Sequence, residues 1–212
     1  MEYHYKREHA QLDALSPGFI YGYRKDMAYK GTGLFLRDAL KTAQKIGNLK
    51  WDEFPYNVEV PKIIEMAEAL STETVSKAYP NRIAAYIRLS TVNEIKNALM
   101  DIGPVLICIK WYSDSKYVND ILTPNLQSDY GYHAVYIYGW NKDGWIIQNS
   151  WGAFSAGDGR FTLPWTYALE ESWSITDYST DDIIEPDKGN KFLKWLLKIF
   201  NAIINFFKPK KK

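Results

Sequence analysis

GYHAVYIYGWNKDGWIIQNSWGAFSAGDGRF, residues Gly131–Phe161, is the stretch from which the fold can be read. Val135, Ile137 and Trp145–Ile147 have the β-branched and aromatic character of paired strands, and Asn141–Gly144 supplies turn chemistry between them. The expected hairpin carries His133 at the start of one strand and Asn149 at the end of the other, followed by Ser150, Trp151 and Gly152. An amide oxygen can accept from one imidazole nitrogen, which fixes tautomer and ring plane and leaves the other nitrogen free for proton transfer. An indole laid over that bond would keep water from competing for it. The stretch reads as two-thirds of a nucleophilic triad, with the nucleophile still to be found.

Working outward, 212 residues can bury a real core, as one compact domain or two small lobes. The 46% hydrophobic and 24% charged fractions are ordinary for a globular protein, and 16% aromatic is rich. The net charge of +1 conceals a segregation. Lys188–Lys212 contains eight lysines and no acid, leaving 18 basic against 25 acidic residues in the body, a net −7. A single cysteine, Cys108, excludes an intramolecular disulfide framework. The opening MEYHYKREH lacks an apolar h-region and is not expected to be a signal peptide, and no apolar run reaches the ~20 residues of a spanning helix. Compartment stays open between cytoplasm and membrane periphery.

Along the chain, Met1–Ala14 is expected to be helical, and Pro17 starts a short helix through Tyr23. Leu36, Ala39, Leu40, Ala43 and Ile46 mark one face of an amphipathic helix stopped by Gly47. Trp51–Pro61 reads as a proline-bounded connector, Lys62–Ser71 as a helix and Asn81–Leu89 as a strand. Thr91 and Glu94 form a capping-box signature opening a helix to Met100, which Gly103–Pro104 breaks. Val105–Tyr112 is a continuous apolar run, read as a buried strand. Helices come first and strands later, as expected for an α+β arrangement of two lobes.

The hairpin, in its pattern HAV…GW…GWIIQNSWG, resembles the carboxy-terminal half of the papain family of cysteine peptidases. LSPGFIYG, GLFLRDALKTAQKIG, WDEFPY and IKNALMDIGPVLICIKWY are similar, in order, to other segments of that family, from about residue 1 to residue 178. The resemblance implies a papain-like two-lobe fold: a helical lobe over residues 1–98, a β-barrel-like lobe over 99–178 and a cleft between them. It implies that His133 is the catalytic imidazole, Asn149 the residue that orients it and Trp151 the indole that shields their bond. Gly33 and Ala134 would lie near bound substrate. Two positions depart from the pattern: Thr32 replaces one of a pair of substrate-binding glycines, and Ser155 stands where NSWG-x-x-W has its second tryptophan. Beyond the family pattern, 179–190 reads as an acidic linker, 191–208 as an extra amphipathic helix and 209–212 as a basic end.

The family nucleophile is a cysteine in a C-G-S-C-W-like motif at the N-terminus of a long helix, preceded by an oxyanion-hole glutamine. Helix dipole and imidazolium lower such a thiol's pKa. Neither residue is present. The start of the chain resembles the latter half of that helix, with Glu2 similar to a glutamate common there, so the expectation is an N-terminally truncated domain. The Cys-bearing segment would be encoded upstream of Met1 or separately. Cys108, inside the strand VLICIKWY, is expected to be a small core residue rather than a replacement nucleophile. His133 alone reads as a satisfied histidine at a strand start; the family resemblance, with Asn149-Ser-Trp-Gly at the right remove, is what implies its catalytic role. His4 and His9, five apart, and the lone cysteine make no metal site. Lys41, Lys45 and Lys50 read as a solvated face, not a nucleic-acid patch, and no cofactor is implied.

In the tail, Lys191, Lys194, Lys198, Asn201, Asn205 and Lys208 form one polar stripe on an otherwise apolar helix. Two uses stay open: lying in an anionic membrane surface, or self-association or docking through the apolar face. The functional expectation is a thiol peptidase acting on peptide or protein substrate by a Cys-His-Asn mechanism, without activity in the isolated chain. The alternative is a catalytically dead relative that binds peptides or acts at a membrane surface.

Overall fold

The computed structural model describes residues 14–26, 33–55, 59–151 and 158–176. The expected helix at 1–14 and the tail therefore lie outside the described residues, except for Ala14. Ser16 opens the first helix, α1 (Pro17–Gly22), accepting from the Phe19 N–H with Pro17 in the first turn. A 3-10 turn, Tyr23–Asp26, continues it. The expected amphipathic helix is α2 (Leu36–Lys45), burying Leu40, Thr42 and Ala43. Gly47 stops it at φ +93°, where a Cβ would also lie 1.9 Å from the Ala78 carbonyl oxygen. Backbone conformation and space both demand glycine there.

Two boundaries differ from the sequence reading. α3 runs Val60–Glu68 rather than Lys62–Ser71, because Pro61 is accepted within its first turn. Ser71 does not end that helix. Its hydroxyl accepts from the Thr74 N–H and caps a separate helix, α4 (Thr72–Ser76). The expected strand at Asn81–Leu89 shortens to β1 (Ala85–Arg88) after a 3-10 turn at Tyr79–Asn81. α5 (Val92–Asp101) has both halves of its capping box, with Thr91 accepting from the Glu94 N–H and the Glu94 carboxylate accepting from the Thr91 N–H.

The remaining strands are β2 (Val105–Tyr112), β3 (Lys116–Val118), β4 (Ile121–Thr123), β5 (Tyr130–Trp140), β6 (Gly144–Gln148), β7 (Arg160–Pro164) and β8 (Glu171–Thr176). They order as β1-β8-β2-β5-β6-β7-β4-β3, and every pairing is antiparallel except β4 with β7. The α+β class follows. At the hairpin turn, the Asn141 side-chain oxygen accepts from the N–H groups of Asp143 (2.8 Å) and Gly144 (2.9 Å), and the Asn141 N–H donates to the Gly144 carbonyl (2.9 Å). An asparagine that bonds its own turn fixes the register of both strands.

Val105, Ile107 and Ile109 of β2 share a buried face with Val135 and Ile137 of β5, Trp145 and Ile147 of β6, and Phe161 and Leu163 of β7. Burying each such side chain contributes roughly 1.5–3 kcal/mol, so this core holds the hairpin rigid where Asn149 leaves it. A second core, around Phe19, Leu49, Phe54, Ile63 and Ala78, joins α1 to α3, while Ile95 and Ala98 of α5 pack on the sheet core. A third, with Leu40, Ala43 and Ile83 against Trp173, joins α2 to β8. No helix among the described residues is long and apolar enough to cross a membrane.

Candidate active site

Side chains alternate across a strand, so β5 divides its residues between two faces. His133, Val135 and Ile137 share the inward face, with Val135 and Ile137 sealed in the core and His133 half-buried at its open end. Ile109 stands opposite His133 across the β2–β5 ladder. Asn149 follows the last residue of β6, its N–H bonded to the Gly159 carbonyl at 2.9 Å, and its side chain is buried. Hairpin register therefore brings imidazole and amide together: His133 Nε2 and Asn149 Oδ1 are 2.9 Å apart.

A third bond decides the proton's location. Asn149 Oδ1 also accepts from the Ser150 backbone N–H at 2.8 Å. A backbone N–H can only donate, so the atom facing it is the amide oxygen, and the amide orientation is fixed. His133 Nε2 must then carry hydrogen, and in the neutral ring Nδ1 is left with its lone pair. Asn149 Nδ2 is buried without a hydrogen-bond partner among the described residues.

Trp151 stacks on the imidazole, with ring centroids 4.3 Å apart and 29° between planes. Its outer face is exposed. Trp111, at the end of β2, meets both rings edge-on, at 5.4 Å from His133 and 4.8 Å from Trp151, and Phe161 lies 5.9 Å behind it. Burial in this aromatic setting pushes the His133 pKa below its ordinary value, and the bond His133 donates to Asn149 partly opposes that. The imidazole is thus held neutral over a wider pH range than a free one.

The other candidates fall elsewhere. Cys108 pairs with Ala134 across the ladder, one step out of phase with the Ile109–His133 pair, so the thiol and the imidazole occupy opposite faces. Cys108 is half-buried rather than sealed in the core, because Val105, Ile107 and Ile109 take the inward face. Its thiol is pushed up to about 11, first by burial and then by Glu171 and Glu170. Ala134 is exposed on that same outer face, and Gly33 is exposed ahead of α2; neither belongs to the cluster around His133. Glu2, His4, His9 and Ser155 lie outside the described residues. Among the described residues no group of three or more His, Cys, Asp or Glu could hold a metal ion.

Trp111 was hidden in the sequence inside an apolar run. The available signal was its parity: it stands two residues beyond Ile109, on the same face and toward the end of β2 that adjoins the start of β5.

The family model for papain family cysteine proteases matches residues 23–166, more than half of the chain. The chain belongs to the papain family of cysteine proteases. Human cathepsin O is 32% identical over 80 residues, 36% of this chain and 25% of that protein. An uncharacterized peptidase C1-like protein of Acanthamoeba polyphaga mimivirus is 23% identical over 171 residues, 75% of this chain and 55% of that protein. The chain thus spans about half, or less, of the length of these curated relatives. Among solved structures, xylellain, a cysteine protease from Xylella fastidiosa, has a TM-score of 0.68 at 22% identity, covering 83% of this chain and 76% of that one. A Carica candamarcensis cysteine protease has a TM-score of 0.59 at 18% identity, covering 82% and 83%. This papain-family chain shares their fold.

Proposed function

We propose that this chain carries the imidazole–amide half of a thiol peptidase, with His133 as the general base and acid and Asn149 as its positioning residue. The observation that carries the reading is the amide orientation set by Ser150, which leaves His133 Nδ1 as the unprotonated nitrogen beneath Trp151. In the proposed reaction Nδ1 takes the thiol proton as sulfur attacks the scissile carbonyl carbon. The same proton then passes to the amine as the carbon–nitrogen bond breaks. Water next loses a proton to Nδ1 while attacking the acyl-enzyme, and that proton returns to sulfur as the acid product leaves. Asn149 holds the ring plane throughout, and the indoles limit competing water. The substrate class is an extended peptide.

The thiol in this proposal comes from a Cys-bearing segment not among these 212 residues. Cys108 does not serve, because its sulfur faces away from Nδ1 and its pKa is raised to about 11. For the 212 residues by themselves, that same placement favours peptide binding without cleavage. The coding sequence immediately upstream of Met1 tests the proposal. A C-G-S-C-W-like segment there, in the same or a neighbouring frame, supports the peptidase; unrelated sequence supports the inactive relative. A thiol-directed peptidyl probe should give no cleft-dependent label on the 212-residue chain, and robust cleft-dependent labelling of Cys108 would overturn its assignment.

A further inference from the structure

Trp111 meets the imidazole, the indole stacked on it and the ring behind both, and it comes from a strand that carries neither His133 nor Asn149. The residue directly across the ladder from Trp111 is Gly131, where a Cβ would meet nothing within 4 Å, so the indole does not fill that space. It packs instead on the next inward position of β5, His133, a diagonal that long aromatic side chains can span. Edge-on packing suits the negative faces of indoles, and such pairs contribute beyond their buried area. Trp151 is half open to solvent and its stacking on His133 needs support from beneath, which Trp111 provides with Phe161. A second indole thus reaches the pair from β2, whereas the position of the motif's second tryptophan after Trp151 is Ser155.

We propose that Trp111 is a positioning residue for the catalytic imidazole: it braces Trp151 against His133 and keeps water from the His133–Asn149 bond. The proposal rests on the reading of His133 as the base. Among the described residues, the groups that face the imidazole are Ile109 and Trp111 from β2, and Asn149 and Trp151 from the end of the hairpin. None of these four is charged, and packing against them buries the ring.

The experiment is NMR on the 212-residue chain, comparing wild type with Trp111→Leu and Trp111→Phe. In wild type, cross-relaxation between Trp111 and His133 ring protons is expected, and its absence overturns the proposal without any variant. In Trp111→Leu, the His133 titration midpoint should rise toward the ordinary value and the Nε2–H should exchange with water at least tenfold faster. Trp111→Phe should restore most of both. A merely structural residue would lower stability and leave the midpoint and exchange rate as in wild type, and that result overturns the proposal. These readouts do not depend on hydrolysis. Failure of the peptidase reading would therefore appear separately, as an absence of cleavage once a thiol-bearing segment is supplied.

Discussion

Replacing Asn149 by alanine separates the cost of building the site from the cost of using it. The substitution removes the acceptor for two donors, His133 Nε2 at 2.9 Å and the Ser150 N–H at 2.8 Å. Each hydrogen bond is worth about 1 kcal/mol net, so the loss is roughly 2 kcal/mol. The same change removes Nδ2, which is buried without a partner among the described residues. Relief of an unsatisfied buried polar atom returns about 1 kcal/mol or more. The balance is a small destabilisation, about 1 kcal/mol, measurable as a shift in the urea midpoint at constant slope. The tautomer should respond more visibly. Losing a bond worth about 1 kcal/mol to Nε2–H alone shifts the Nε2–H to Nδ1–H ratio roughly fivefold toward Nδ1–H. Nitrogen-15 shifts of the His133 ring report that ratio directly. Unchanged ring shifts in Asn149→Ala would refute the role of the amide, and a stability loss above about 4 kcal/mol would refute the accounting for Nδ2.

Cys108, raised to about 11, should be alkylated by iodoacetamide with a rate that climbs past pH 9; a plateau by pH 9 contradicts its placement. His133 has a lowered folded-state pKa, so the unfolded chain binds the proton more readily. Its contribution to stability is whole above the ordinary value of 6.5 and is lost as pH falls through the lowered folded value. Urea midpoints between pH 7.5 and 5 should therefore fall more steeply in wild type than in His133→Gln, and equal slopes would count against burial of the ring. Gly144→Ala would place a Cβ 2.0 Å from the Leu163 carbonyl oxygen. Backbone must move at the β6–β7 ladder, so a loss of about 3 kcal/mol is expected; a variant as stable as wild type would show that the ladder yields freely.

Much of this was legible because local chemistry and tertiary context agree. The hairpin turn satisfies its own backbone through Asn141, the capping box at Thr91 does the same for α5, and the run Val105–Tyr112 is one strand. Readings failed where one residue serves two elements: Ser71 reads as the end of a helix but caps the next. The short strands β3 and β4 had no periodicity long enough to see, since three residues show barely one alternation. At the site, His133 and Asn149 stand out because polar groups at strand ends need partners. Trp111 does not, because an aromatic residue in an apolar run looks alike whether it fills a core or braces a ring. Which face Cys108 takes was equally hidden, since it depends on the phase of β2 against β5.

The most direct test is peptide hydrolysis by the chain extended with a Cys-bearing segment of the family motif, measured with and without His133→Gln. Cleavage of a fluorogenic peptide is expected, abolished by thiol alkylation and reduced by His133→Gln by roughly 10²–10⁴-fold, the usual contribution of a general acid–base group. An extended chain that presents a thiol in the family motif yet cleaves nothing would contradict the peptidase reading, as would cleavage that persists undiminished in His133→Gln.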